Sequence, residues 1–200
     1  MQENKLLTGF TIIELVISIF ILSVAVVGIF SAFSIMVIST SDTTDRLTAA
    51  YLAQEGMEIV RNIRDNNWLT IIQSCVDPNT ECSFDEWAKN YLDSCSKNSV
   101  GCQADYRATS LSSYAVGSNV GYLYLENGFY VYNPISTSPK QTKFKRKIII
   151  DKEGSENQIL RVRVQVSWKQ KASLLGAGVA DGECKSSNCI TTEETLYNWF

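Results

Sequence analysis

The chain has 200 residues, with 18 Lys plus Arg against 21 Asp plus Glu, a formal net charge of -3, and no histidine. That length holds one compact domain with an appendage, or at most two small domains. The charge balance does not mark a nucleic-acid-binding protein and leaves only a local patch for that role, while the missing histidine removes Ser-His-Asp and Cys-His catalysis and mixed Cys/His metal sites.

The first predicted element is apolar from Phe10 to Ile38. It exceeds the roughly 20 residues that a spanning helix needs and the roughly 7–15 residues of a secretory signal core. No small-residue cleavage site with a polar flank follows it, so the segment is expected to stay in the mature protein. One carboxylate, Glu14, lies near its start. An ionised acid near a bilayer centre costs roughly 2.5–3.5 kcal/mol on insertion scales, less toward a helix end, and normally has a partner. An ordinary signal anchor carrying a stray acid is the simpler alternative. The coincidence of glycine, aromatic, acid and apolar length argues against it.

The stretch Gly9-Phe10-Thr11-Ile12-Ile13-Glu14 resembles the cleavage and methylation site of type IV prepilins and pseudopilins: Gly, Phe, three further residues, then Glu, opening a long hydrophobic helix. The resemblance implies that residues 1–9 are a leader, that a membrane-embedded prepilin peptidase cuts between Gly9 and Phe10, and that the new amino terminus of Phe10 is methylated. It also implies a bacterial single-pass protein of the cytoplasmic membrane with its head outside the cytoplasm, later extracted into an extracellular or periplasmic filament. Glu14 follows the freed amine by four residues, one helical turn, on the same face. It can neutralise that amine within the subunit or, as the family implies, in a neighbour. In an apolar bundle a slipped register leaves both charges buried and unpaired, which is strongly destabilising, so Glu14 is the expected assembly residue.

Residues 39–45 (STSDTTD) are polar and poor helix formers, so the helix is expected to bend or loosen there. Beyond Arg46, Ala49, Leu52, Ala53, Gly56, Ile59, Val60 and Ile63 recur at helical spacing and define one apolar face. Gln54, Glu55, Glu58, Arg61, Asn62, Arg64 and Asp65 are assigned to the opposite side, where Glu58–Arg61 and Arg61–Asp65 are at pairing distances along a helix. With no proline from Phe10 to Trp68, the expected stalk helix covers 10–68, about 90 Å if continuous at 1.5 Å per residue. Residues 50–64 are similar to the second half of this helix in minor pilins of the PilV kind and in minor pseudopilins of type II secretion. Gly28 and Gly56 are expected to be close-packing points.

Residues 69–117 read as loops with four cysteines and one short helix around Phe84 to Leu92, where Ser83 is a candidate N-cap. Strands follow. Gly121 to Tyr132 (GYLYLENGFYVY) is a hairpin around Asn127-Gly128, Thr142 to Ile150 is a third strand, and Ile159 to Trp168 alternates with period two. There Leu160, Val162, Val164, Val166 and Trp168 face inward, and Arg161, Arg163, Gln165, Ser167 and Lys169 outward. Gly154 supplies the turn before it, and Thr192 to Trp199 closes the sheet. The fold class is α+β: a long N-terminal helix packed on an antiparallel sheet of about four to five strands, with a globular head over 69–200. That agrees with the pilin-like fold the resemblance implies.

All six cysteines, Cys75, Cys82, Cys95, Cys102, Cys184 and Cys189, lie beyond the apolar run, and none forms a C-x-x-C. Disulfides in an oxidising compartment are favoured over metal. Cys184–Cys189 is the favoured pair, and the first four pair among themselves. Lys140, Lys143, Lys145, Arg146 and Lys147, beside Arg161 and Arg163, form a basic cluster. It reads as a solvated strand face that discourages aggregation, or as a polyanion contact through Lys143, Lys145, Arg146 and Lys147. Tyr122, Tyr124, Tyr130 and Tyr132 are structural cross-strand aromatics or an adhesive surface. There is no P-loop and no G-x-G-x-x-G after a strand, so the chain is not expected to be an enzyme, and no cofactor is implied. The expected function is a structural minor subunit of a type IV pilus or of a related type II secretion or DNA-uptake filament. The alternative is a filament-mounted adhesin or DNA receptor.

Overall fold

The computed structural model describes residues 9, 11–74, 95–96, 100–115, 121–153, 159–169, 184 and 188–197. Residues 1–8, Phe10, Cys75, Cys82, the expected short helix at 84–92, the turn at Gly154 and Trp199 lie outside them. The chain divides into two compact units, Met1–Thr44 and Asp45–Phe200.

One helix, α1 (Ile12–Ser74), begins in the first unit and continues into the second. Thr11 caps it: the Leu15 N–H donates to the Thr11 carbonyl at 3.2 Å, and the Glu14 N–H faces the Thr11 hydroxyl at 3.4 Å. The order Thr-x-x-Glu is the sequence form of a capping box. Every residue of the first unit from Thr11 to Ser41 is exposed. The hydroxyls of Ser18, Ser23, Ser34 and Thr40 donate to the carbonyls four residues earlier at 2.7–2.9 Å.

The expected loosening over 39–45 does not occur. Thr43 and Thr44 make the same back-bonds, to Ser39 and Thr40, so their hydroxyls are accommodated within the helix and the helical ladder runs on. The helix also passes the expected end at Trp68. Trp68 and Ile71 extend the buried stripe by another two turns, and Thr70 donates to the Asn66 carbonyl at 2.9 Å.

Among the described residues of the second unit seven strands follow: β1 (Cys102–Gln103), β2 (Ser112–Ser113), β3 (Tyr122–Glu126), β4 (Phe129–Val131), β5 (Lys140–Glu153), β6 (Ile159–Trp168) and β7 (Cys189–Tyr197). All pairings are antiparallel. The two-residue β1 and β2 fall in what reads from sequence as loop. The hairpin forms as expected, with Asn127 at φ 51° and Gly128 at φ 86°, the left-handed pair that a tight two-residue turn requires. Strand β5 is the sheet's centre. It pairs with β6 from Phe144↔Trp168 to Glu153↔Ile159, and its other edge carries β3 near its start and β1 at Ile148. Strand β7 pairs with β6.

The core lies between the second half of α1 and this sheet. Ala49, Leu52, Ala53, Val60 and Ile63 are buried from the helix, and Leu160, Val162, Val164, Val166 and Trp168 from β6, with Ile148, Ile150 and Leu123 beside them. At Gly56 the two layers approach closely, since an added Cβ would stand 2.9 Å from both Arg146 Cδ and Val164 Cγ1. Gly28 differs: among the described residues a Cβ there meets nothing within 4 Å. Two expectations about side chains need correction. Arg64 is buried rather than on the solvent side, with its Nε donating to Asp65 at 2.8 Å. Arg61 pairs with Glu58 and with Glu194 on β7, not with Asp65. The outward face of β6 is half-buried, and Ser167 is buried.

Candidate functional site

Two regions hold the residues singled out from sequence. The first is the N-terminal segment. Gly9 and Glu14 are both exposed, and Phe10 lies outside the described residues. Glu14 is held in the first turn of α1 by the Thr11 cap, and among the described residues its carboxylate has no hydrogen bond or ion pair. Between Ile12 and Ile38, nineteen large apolar side chains are exposed. The helix they cover is long and apolar enough to cross a membrane.

The second region is the basic cluster, and the sheet divides it. Side chains alternate across β5, so Phe144, Arg146, Ile148 and Ile150 face α1 while Lys145 and Lys147 face away. Arg146 is therefore fully buried. Its Nη1 donates to the Leu52 carbonyl and to Glu55 Oε2, both at 3.0 Å, and its Nη2 to the Ala104 carbonyl at 2.8 Å. That burial removes Arg146 from the candidate polyanion contacts: a guanidinium enclosed by the core cannot reach a phosphate backbone. Lys143 pairs with Asp45. Arg161 and Arg163 pair with Glu153 at 3.0 Å and Glu193 at 2.9 Å. Lys145 is buried with its ammonium over the Tyr122 ring, 4.3 Å from the centroid. No continuous basic track remains among these residues.

Beside Arg146 lies a polar network that the sequence reading missed. The Tyr132 hydroxyl donates to the Arg146 carbonyl, and the Tyr132 N–H donates to Asp105 at 3.2 Å. Asp105 also accepts from the Arg107 backbone N–H and guanidinium, each at 3.1 Å. Burial pushes the Asp105 carboxyl up, but the Arg107 guanidinium and the Tyr132 N–H outweigh it and hold the group below the ordinary carboxylate value. Burial pushes the Tyr132 phenol well above its ordinary value. With Tyr132 buried and Tyr130 packed against the core, the four tyrosines do not form one exposed surface.

Cys95–Cys102 and Cys184–Cys189 are disulfide-bonded. The second is the pair favoured from sequence, and the first agrees with pairing among the four earlier cysteines. No group of acidic and cysteine side chains with metal-ligand proximity occurs among the described residues.

These features define a class of architecture. It is pilin-like in the general sense: a long N-terminal helix, apolar and exposed in its first half, packed in its second half on an antiparallel sheet with cysteine-linked loops. No family model matches this chain, and it matches no curated protein and no solved structure.

Proposed function

We propose that the chain is a minor pilin or pseudopilin, a structural subunit cut after Gly9, methylated at Phe10, and built through α1 into a type IV pilus or a related secretion or DNA-uptake filament. In this reading it is not an enzyme and takes no cofactor. Its partners are other pilins, the prepilin peptidase, and the bacterial cytoplasmic membrane before assembly.

The observation that carries the proposal is the bare apolar half of α1 with Glu14 at its start. Among the described residues, nineteen large apolar side chains between Ile12 and Ile38 are left exposed by their own fold. At about 1.5 kcal/mol each, leaving them in water costs on the order of 30 kcal/mol, more than a whole domain's stability of about 5–15 kcal/mol. Lipid or other helices must cover them. Inside such a bundle the Glu14 carboxylate needs a cation, and cleavage after Gly9 creates one. Breaking a buried pair by removing one partner costs about 3–5 kcal/mol, enough to fix the axial register of one subunit on the next.

The test is the N-terminal residue and intact mass of the chain extracted from its host's membranes. A chain beginning at Phe10 with one added methyl group supports the proposal, and a chain still beginning at Met1 overturns it. Glu14→Gln should then abolish recovery of the subunit in sheared filaments while leaving its melting temperature in detergent unchanged.

A further inference from the structure

The face of the sheet turned away from α1 holds a cleft with polar and charged side chains in its lining, unrelated to the membrane segment. The register aligns Tyr122, Lys145, Ser167 and Cys189 in one cross-strand row and Lys147 with Gln165 in the next. A cleft of about 360 Å³ opens among Tyr114, Lys145, Lys147, Gln165 and Ser167, with Cys184 also in its wall. That volume lies at the small end of the roughly 300–1,000 Å³ of ligand sites. Among the described residues of its lining, the charged groups are Lys145 and Lys147. As i and i+2 on one strand, they stand about 7 Å apart along it.

The backbone beneath is shaped to these side chains. Gly101 and Gly121 have φ of 82° and 78°. A Cβ on Gly101 would run into Lys147 Cε and Cγ, and one on Gly121 would stand 2.9 Å from the Tyr114 hydroxyl. Lys147 and Tyr114 thus lie against bare backbone, and the Tyr114 N–H donates to the Gly101 carbonyl at 2.9 Å, which joins the two supports. The Cys184–Cys189 disulfide ties Cys184 to the strand residue opposite Ser167.

We propose that this cleft binds a compact oxyanion, the carboxylate or phosphate group of a small solute. Lys147 supplies the principal positive charge, the Lys145 ammonium seated over Tyr122 adds to it from beneath, and Ser167, Gln165 and Tyr114 supply neutral hydrogen-bonding atoms. Ammonium groups suit such ligands as point charges. A polymer is disfavoured by the neighbouring cations: Arg146 is enclosed, and Lys143, Arg161 and Arg163 pair with carboxylates, so these four offer no row that leads a phosphate backbone out of the cleft. The inference stands whether or not the chain is a filament subunit.

The experiment is titration of the full chain in neutral detergent with inorganic phosphate, with glucuronate, and with glucose as the uncharged control, read by calorimetry. Saturable binding of phosphate or glucuronate is expected, the tighter of the two naming the ligand's charged group, with none of glucose. Lys147→Gln should weaken it at least ten-fold. Lys140→Gln, which removes the same charge from the exposed start of β5, should change it less than two-fold. Should Lys147→Gln not fold, Gln165→Leu, expected to weaken binding at least three-fold, replaces it. Absence of saturation with both anions, equal loss in the two lysine variants, or binding of duplex DNA without binding of either small anion overturns the proposal.

Discussion

Replacing Arg146 by methionine should destabilise the second unit strongly, although methionine keeps much of the arginine stem. The guanidinium makes three charge-assisted hydrogen bonds, to Glu55, the Leu52 carbonyl and the Ala104 carbonyl. Removing one partner of a buried pair costs about 3–5 kcal/mol. The Glu55 side chain is 33% exposed, so water can reach its carboxylate and the charge part shrinks toward that of a surface pair. About 3 kcal/mol remains, which for a chain of this size lowers the melting temperature by roughly 6–12 °C. The assay is reversible unfolding of the full chain in detergent, followed by near-ultraviolet circular dichroism. Adding Glu55→Gln to Arg146→Met should recover part of the loss, because the stranded carboxylate is gone. An Arg146→Met protein as stable as the parent would refute the idea that this arginine ties α1 to the sheet. A double variant no better than the single would show that charge pairing is not the source.

Gly56→Ala gains about 1 kcal/mol of helix propensity but places a methyl 2.9 Å from Arg146 Cδ and Val164 Cγ1. Overpacking costs about 1–3 kcal/mol, so a net loss of about 1 kcal/mol is expected in denaturant unfolding, with Gly28→Ala, where a Cβ meets nothing within 4 Å among the described residues, losing none. Asp105 is held below its ordinary pKa of 3.8, so its contribution is present above that value and disappears as pH falls through it and on toward the depressed one. Asp105→Asn should therefore be less stable than the parent at pH 7, and the gap should close below about pH 4. Tyr132 is shifted the other way by burial. Its contribution is present below the ordinary value of 10.0 and fades at higher pH, because only the unfolded chain then releases the proton readily. Tyr132→Phe should lose about 1 kcal/mol at pH 7 for the missing hydrogen bond and show a shallower alkaline decline.

Much of the second unit was legible because simple periodicities govern it. The Ala49-to-Ile63 stripe, the alternation of β6 and the Asn127-Gly128 turn each rest on a local rule that tertiary contacts reinforce. What escaped has physical causes. Strands β1 and β2 are too short to show any period. Helix α1 outlasts the polar 39–45 stretch because threonine can satisfy its own hydroxyl within the helix. Arg146 was grouped with its lysine neighbours by charge, whereas strand parity places it with Phe144, Ile148 and Ile150, on the inward face. That signal was in the sequence, and composition obscured it. Asp105 was missed because only its Arg107 contact is local, two residues on, whereas Tyr132 meets it only once the chain beyond β4 has folded back.

The N-terminal site posed a different problem, because its chemistry is incomplete within one chain. Ser18, Ser23, Ser34 and Thr40 would each be costly in hydrocarbon, but each hydroxyl donates to the carbonyl one turn back, so none needs a neighbour. Thr11 likewise faces the N–H of Glu14. Local bonding thus disposes of these four hydroxyls in the exposed apolar segment from Ile12 to Thr40, where Glu14 is the one charged side chain. A bundle of such helices could slide along its apolar surfaces at little cost, since dispersion and hydrophobic contact are not directional. One unsatisfied charge per helix changes that, because only those axial positions that bring a cation to it avoid burying it alone. In the proposed filament the lone acid therefore carries the register, and the self-bonded hydroxyls of Ser18, Ser23, Ser34 and Thr40 specify no competing one.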